Sequence, residues 1–174
     1  VVPADAAHTR LAVLAIAVHQ GPVYLRFGRP DWPVFLEDEQ FVFGKGQLLK
    51  EGADVTIVAT GHMVWQALEA IRELEKMDIH AELINIHTIK PLDEEMILRS
   101  VMKTHRVVTC EEHQRNGGLG DSVAQLLVQK YPCRQVYVAV NDQFGESGKP
   151  LELLDKYGLG IKDVKEAVLS LLRA

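Results

Sequence analysis

Asp54-Val-Thr-Ile-Val-Ala-Thr60 is the stretch that decides how the rest of the chain is read. Its centre is a short apolar, β-branched run, which suits a strand buried on both faces of a sheet. Val64, Ala67, Leu68, Ile71 and Leu74 then recur at the spacing of one helix face. A second buried strand follows in Ala81-Glu-Leu-Ile-Asn-Ile-His87. Strand, helix and strand at these lengths imply parallel neighbours under a helical layer.

The alternation continues outward from this unit. Asp93 reads as a helix cap, and Glu94 and Glu95 suit the positive end of that helix's dipole. Arg106–Cys110 is a third strand, and Asp121–Lys130 a helix behind the turn Gly117-Gly-Leu-Gly120. Gln135–Val140 is the last strand, and Ile161–Leu172 an amphipathic terminal helix. Upstream, Phe41–Phe43 reads as a short strand leading into the turn Gly44-Lys-Gly46. Residues 41–174 are therefore expected to form one α/β domain, with a mostly parallel sheet covered on both faces.

Residues 1–30 read differently. Val1-Val2 suits the end of a buried strand, Asp5 a helix cap, and Leu11, Leu14 and Val18 the apolar face of a helix. Gly21-Pro22 punctuates its end, and Val23–Phe27 is β-branched and aromatic like a strand. Two strands and one helix cannot bury both faces of a sheet, so the unit is expected to be the end of a second α/β domain. The chain, which starts without an initiator Met, reads as beginning inside that domain. Residues 31–40, acidic and broken by Pro33, suit a linker, with Trp32, Val34, Phe35 and Leu36 laid on a domain surface.

Composition narrows the function classes. The 174 residues are 47% hydrophobic and 25% charged, an ordinary globular balance, with a net charge of -5. That sign argues against a nucleic-acid or anionic-membrane partner. No apolar run approaches a membrane span, and neither a secretory signal nor an N-x-S/T acceptor is present, so a cytoplasmic protein is expected. Cys110 and Cys133 lack metal-ligand spacing, and Cys110 suits a small buried hydrophobe.

No standalone catalytic signature is present, and no catalytic, cofactor-binding or metal-binding residue is assigned from motifs. Gly117-Gly-Leu-Gly120 opens a helix, where backbone N–H groups could cradle an anion, or it is simply a tight strand-to-helix turn. Glu111, Glu112 and His113 end a strand, where open α/β sheets usually bind ligands. They could be acid/base or metal groups, a solvated strand end or an interface cluster. His62 and His87 lie near strand ends and suit structural or interfacial roles. Arg26 and Arg29 close Tyr24-Leu-Arg-Phe-Gly-Arg-Pro30. A guanidinium there could hold a phosphate or carboxylate through two parallel N–H bonds, or pair with the acidic linker.

Four segments resemble the transketolase family in order and spacing. They are Gly21–Pro30, His87-Thr-Ile-Lys-Pro-Leu-Asp93, Val108–His113 with the Gly117–Gly120 turn, and Phe144–Gly158. The last favours transketolase over 2-oxo acid dehydrogenase β subunits and 1-deoxyxylulose-5-phosphate synthase. The resemblance implies that residues 1–30 end a pyrimidine-binding domain and that 41–174 form the third domain. That domain would be a three-layer α/β/α unit whose five-stranded sheet has one antiparallel strand, at Phe41. The implied reaction moves a two-carbon ketol unit from a ketose phosphate to an aldose phosphate, using thiamine diphosphate and Mg²⁺. The residues that hold the cofactor and metal belong to segments outside this chain, so neither is expected on it alone. The resemblance also implies a homodimer and a partner portion or subunit carrying the thiamine site. A non-catalytic dimerisation or docking module is the other class kept open. Arg29 matches the family arginine that grips the substrate phosphate, and Arg26 lies beside it.

Overall fold

The computed structural model describes residues 1–36 and 40–173. Its centre is a five-stranded sheet: β1 (Gln47–Lys50), β2 (Val55–Ala59), β3 (Ala81–Asn85), β4 (Arg106–Gln114) and β5 (Arg134–Val140). The spatial order is β1-β3-β2-β4-β5, with β1 antiparallel to β3 and the other pairs parallel. The α/β class, the mostly parallel sheet and the single antiparallel strand are all found.

Alternation along the strands explains the two helical layers. Val55, Ile57 and Ala59 of β2 join one apolar cluster, which also takes in helix α2 (Met63–Glu75) and the terminal helix Ile161–Leu172. Val58, from the opposite face, joins a second cluster with helix α3 (Glu94–Thr104) and helix α4 (Leu119–Lys130). Successive strand residues point to opposite faces, so one strand serves both cores. Thr56, on the α3 side, hydrogen-bonds Ser100 at 2.8 Å and Thr104 at 2.7 Å. Buried Glu82 meets Ser100 and Lys103 there, so the polar groups on this face satisfy one another.

Three expectations are corrected. The antiparallel strand is Gln47–Lys50, after the glycine turn, and not Phe41–Phe43. Phe41 instead packs its ring on His87, with centroids 4.3 Å apart, and Phe43 stacks on His19 at 4.8 Å. Beyond the turn, Asn85 donates to the Gln47 side chain at 2.7 Å and ties β1 to β3. Helix α4 begins at Leu119, two residues before the expected start. The third concerns residues 1–30: Val1-Val2 and Val23–Phe27, expected as strands, are extended but form no strand, and helix α1 (Ala6–Ala17) between them buries His8 and Ala12 and leaves Leu14 exposed. A further helix, α5 (Pro150–Lys156), has no counterpart among the expected elements, although Pro150 at its first turn is a start signal. The terminal helix follows as α6.

Residues 1–36 lie on the C-terminal edge of the sheet. The Val1 amino group donates to the Tyr24 carbonyl at 2.7 Å and Arg26 N–H to the Val1 carbonyl at 2.9 Å, joining the two extended segments. Val2 N–H donates to the His87 carbonyl at 2.8 Å, just beyond β3. Asp5 caps α1 by accepting from His8 N–H at 2.7 Å. Its other oxygen accepts from Phe35 and Leu36, each at 2.8 Å, which clamps the expected linker to the start of α1. Glu37, Asp38 and Glu39 of that linker lie outside the described residues.

Candidate functional site

In an open α/β sheet the ligand crevice lies where neighbouring strands lead off in opposite directions, here between the C-terminal ends of β2 and β4. The chain's own first residues line that crevice, beside a cavity of about 580 Å³ walled by Val2, Thr60, Glu111 and Leu119. A β-carbon on Gly61, just past β2, would stand 2.8 Å from a Val2 methyl. The ready-made anion site at the start of α4 is taken. Glu111, 3% exposed, accepts from Leu119 N–H at 2.7 Å and from Gly120 N–H at 2.8 Å. The glycine turn does cradle an anion, and that anion is a carboxylate of the same chain. Burial raises the Glu111 pKa, and the two N–H bonds pull against that rise.

Glu111 and Glu112 point to opposite faces, so they do not form a carboxylate pair. Glu112 reaches His62, with Oε2 and Nδ1 3.2 Å apart. His113 Nδ1 lies 2.8 Å from the Gln114 carbonyl oxygen. Among the described residues no group of three or more His, Cys, Asp or Glu is placed to hold a metal ion. Cys110 is fully buried, and burial pushes its thiol pKa upward, which leaves it an inert part of the core.

Arg26 and Arg29 differ in their contacts. Arg26 Nη1 donates to the Glu112 carbonyl at 2.9 Å, bonding the first segment to the end of β4. Arg29 is exposed, and its side chain makes no hydrogen bond or ion pair among the described residues. Pro30 and Gly28 on either side of it line a cavity of about 410 Å³, with Trp32, His62 and Glu112 on its wall.

Sequence reading missed a second cluster. His8 of α1 and His87 beyond β3 are both fully buried, edge-to-face with ring centroids 4.9 Å apart. Neither nitrogen of His8, nor Nε2 of His87, has a hydrogen-bond partner among the described residues. Burial lowers both pKa values, that of His87 to about 3, so both rings are neutral at neutral pH. An unfolded chain takes up protons near the ordinary value of 6.5, which the buried rings resist. Their contribution to stability is thus complete above about 6.5 and is lost as the pH falls towards 3. Glu111, whose pKa is raised, works in the opposite sense, so a variant is needed to isolate the rings. Chemical denaturation at pH 7.5 and pH 5 is expected to show a marked loss on acidification. His8→Leu should roughly halve it, and an unchanged pH slope in that variant would exclude the pair as its source.

Residues 44–164 match the family described as "Transketolase, C-terminal domain". The chain belongs to the transketolase family. It is 46% identical over 166 residues to the 6-deoxy-6-sulfo-D-fructose transketolase subunit of Clostridium sp. (strain MSTE9), covering 95% of this chain and 52% of that protein. Similarity to an apulose-4-phosphate transketolase subunit of Phocaeicola vulgatus is 34% identity over 175 residues, covering 99% of this chain and 56% of that one. Among solved structures, a split gene transketolase in an inactive beta4 tetramer superposes with a TM-score of 0.94 at 50% identity. That match covers 99% of this chain and 57% of the other. The transketolase-family chain thus spans little more than half the length of these relatives. No helix among the described residues is long and apolar enough to cross a membrane.

Proposed function

We propose that this chain is the C-terminal portion of a thiamine-diphosphate-dependent transketolase. The complete enzyme transfers a two-carbon ketol unit from a ketose phosphate to an aldose phosphate. The observation that carries this reading is the near-complete superposition on a split-gene transketolase, together with a family match through most of residues 41–174. Cofactor and Mg²⁺ are held by another portion or subunit, and the assembly is a homodimer of such units. Residues 1–30 are the end of the pyrimidine-binding domain, 31–40 the linker and 41–174 the C-terminal domain. The exposed apolar side chains Leu14, Val18, Tyr24 and Phe27 support the first assignment, because a larger sheet and a partner surface would cover them. The substrate phosphate is gripped by Arg29. Arg26, with one nitrogen on the Glu112 carbonyl, has its remaining donors to offer beside it.

The test is reconstitution with the portion that carries the thiamine site. Xylulose 5-phosphate and ribose 5-phosphate, with thiamine diphosphate and Mg²⁺, are expected to yield sedoheptulose 7-phosphate. Failure to form that product would exclude ordinary transketolase activity. 6-Deoxy-6-sulfo-D-fructose and apulose 4-phosphate, for which two relatives are named, would then be the next substrates to try, as would pyruvate with glyceraldehyde 3-phosphate for the deoxyxylulose reaction. Inactivity with all of them would favour a docking module.

A further inference from the structure

The turn that carries Arg29 is held from the C-terminal domain by two residues with no assigned role. Glu112 is engaged through both backbone and side chain: its carbonyl accepts from Arg26, and its carboxylate meets the His62 ring at 3.2 Å. His62 is itself confined. Its ring packs on Trp32 with centroids 4.6 Å apart, and it lies so close to Gly28 that a β-carbon there would overlap it. Positions 26, 28 and 32 of the first segment are therefore each fixed against one unit, the His62–Glu112 pair. Arg29 stands between these anchors, with its side chain in solvent beside the cavity of about 410 Å³.

We infer that His62 and Glu112 are positioning residues, which set where the Arg29 guanidinium stands and hence how strongly the enzyme grips the anionic end of its sugar. This rests on the phosphate role proposed for Arg29. A guanidinium binds a phosphate well only when its planar fork is already aimed, because a mobile turn loses that alignment on every encounter. The C-terminal domain then contributes to substrate selection without touching the substrate.

The experiment compares Glu112→Ala, Glu112→Gln and Gly28→Ala in the complete reconstituted enzyme, using ribose 5-phosphate and the neutral acceptor glycolaldehyde. Glu112→Ala and Gly28→Ala are expected to raise KM for the phosphorylated acceptor about fivefold to tenfold more than for the neutral one, about one aimed hydrogen bond. Glu112→Gln, whose amide oxygen can still accept from Nδ1–H, should recover most of the difference. Hydrogen exchange of the Arg26 backbone amide, which donates to the Val1 carbonyl at 2.9 Å, should quicken in step in the same proteins. Equal KM changes for both acceptors, or no quickening, would overturn the inference. Arg29→Ala serves as the control that separates the two readings. If it raises KM for the phosphorylated acceptor while Glu112→Ala does not, the positioning role fails and the phosphate role stands. If Arg29→Ala does not, both fall.

Discussion

Replacing Arg29 with alanine in the complete enzyme is expected to raise KM for phosphorylated sugars by about tenfold to a hundredfold. The magnitude follows from the bonds removed. A hydrogen bond to a charged group contributes about 1.5–3 kcal/mol, and each 1.4 kcal/mol is close to a factor of ten. The phosphate is remote from the reacting carbonyl, so its grip is felt in ground state and transition state alike, and the loss should appear in KM more than in kcat. Arg29→Lys should recover part of it, because the charge remains while the two-pronged donor geometry is lost. Steady-state kinetics with phosphorylated and unphosphorylated acceptors decides the matter. An equal loss for both would refute the phosphate role and return Arg29 to the other sequence-based reading, a pairing with the acidic linker.

The second large effect is expected far from any substrate. Gly118→Ala should destabilise the fold by roughly 3–5 kcal/mol, the scale seen when a buried charged group loses its partners. The added β-carbon would overlap the Glu111 carboxylate, which has no slack: it is 3% exposed and bonded to two amides at the start of α4. Either the carboxylate leaves and two helix N–H groups lose their acceptor, or the helix start shifts and the packing of Leu119 and Val123 on Val58 and Ile97 in their cluster is loosened. For a chain of this size the melting temperature should fall by about 6–20 °C. Glu111→Gln should cost less, since one amide oxygen can still accept. Calorimetry of the two variants checks the order, and a Gly118→Ala protein as stable as the wild type would show that the turn has room the geometry denies it.

Much of the domain is legible because its signals are local. Val55–Ala59 and Ala81–Asn85 are short apolar runs, and each declares a buried strand without reference to anything else. The cap at Asp93 and the helix face of α2 are equally self-contained. Phe41–Phe43 misleads because two aromatics flanking a valine are as good a strand signal as a packing one. Only the presence of His8, His19 and His87 around them decides between the two. Val23–Phe27 misleads for a related reason: β-branched and aromatic residues suit a strand, but whether they form one depends on a neighbour to pair with.

The amino-acid sequence alone determined the α/β class, the alternation of strands and helices from Val55 to Val140, the family resemblance and the arginine-bearing stretch at residues 26–30. These rest on periodicity and on short ordered motifs. The tertiary structure decided what those motifs do to one another. It laid the first residues along the crevice between β2 and β4, set Glu111 against the start of α4, and separated Glu112 from it to meet His62. The physical reason is that a carboxylate, an imidazole and a glycine show only their chemistry in a sequence. Whether Glu111 binds a ligand or a helix, and whether Gly28 is a hinge or a seat for a ring, depends on partners elsewhere in the chain.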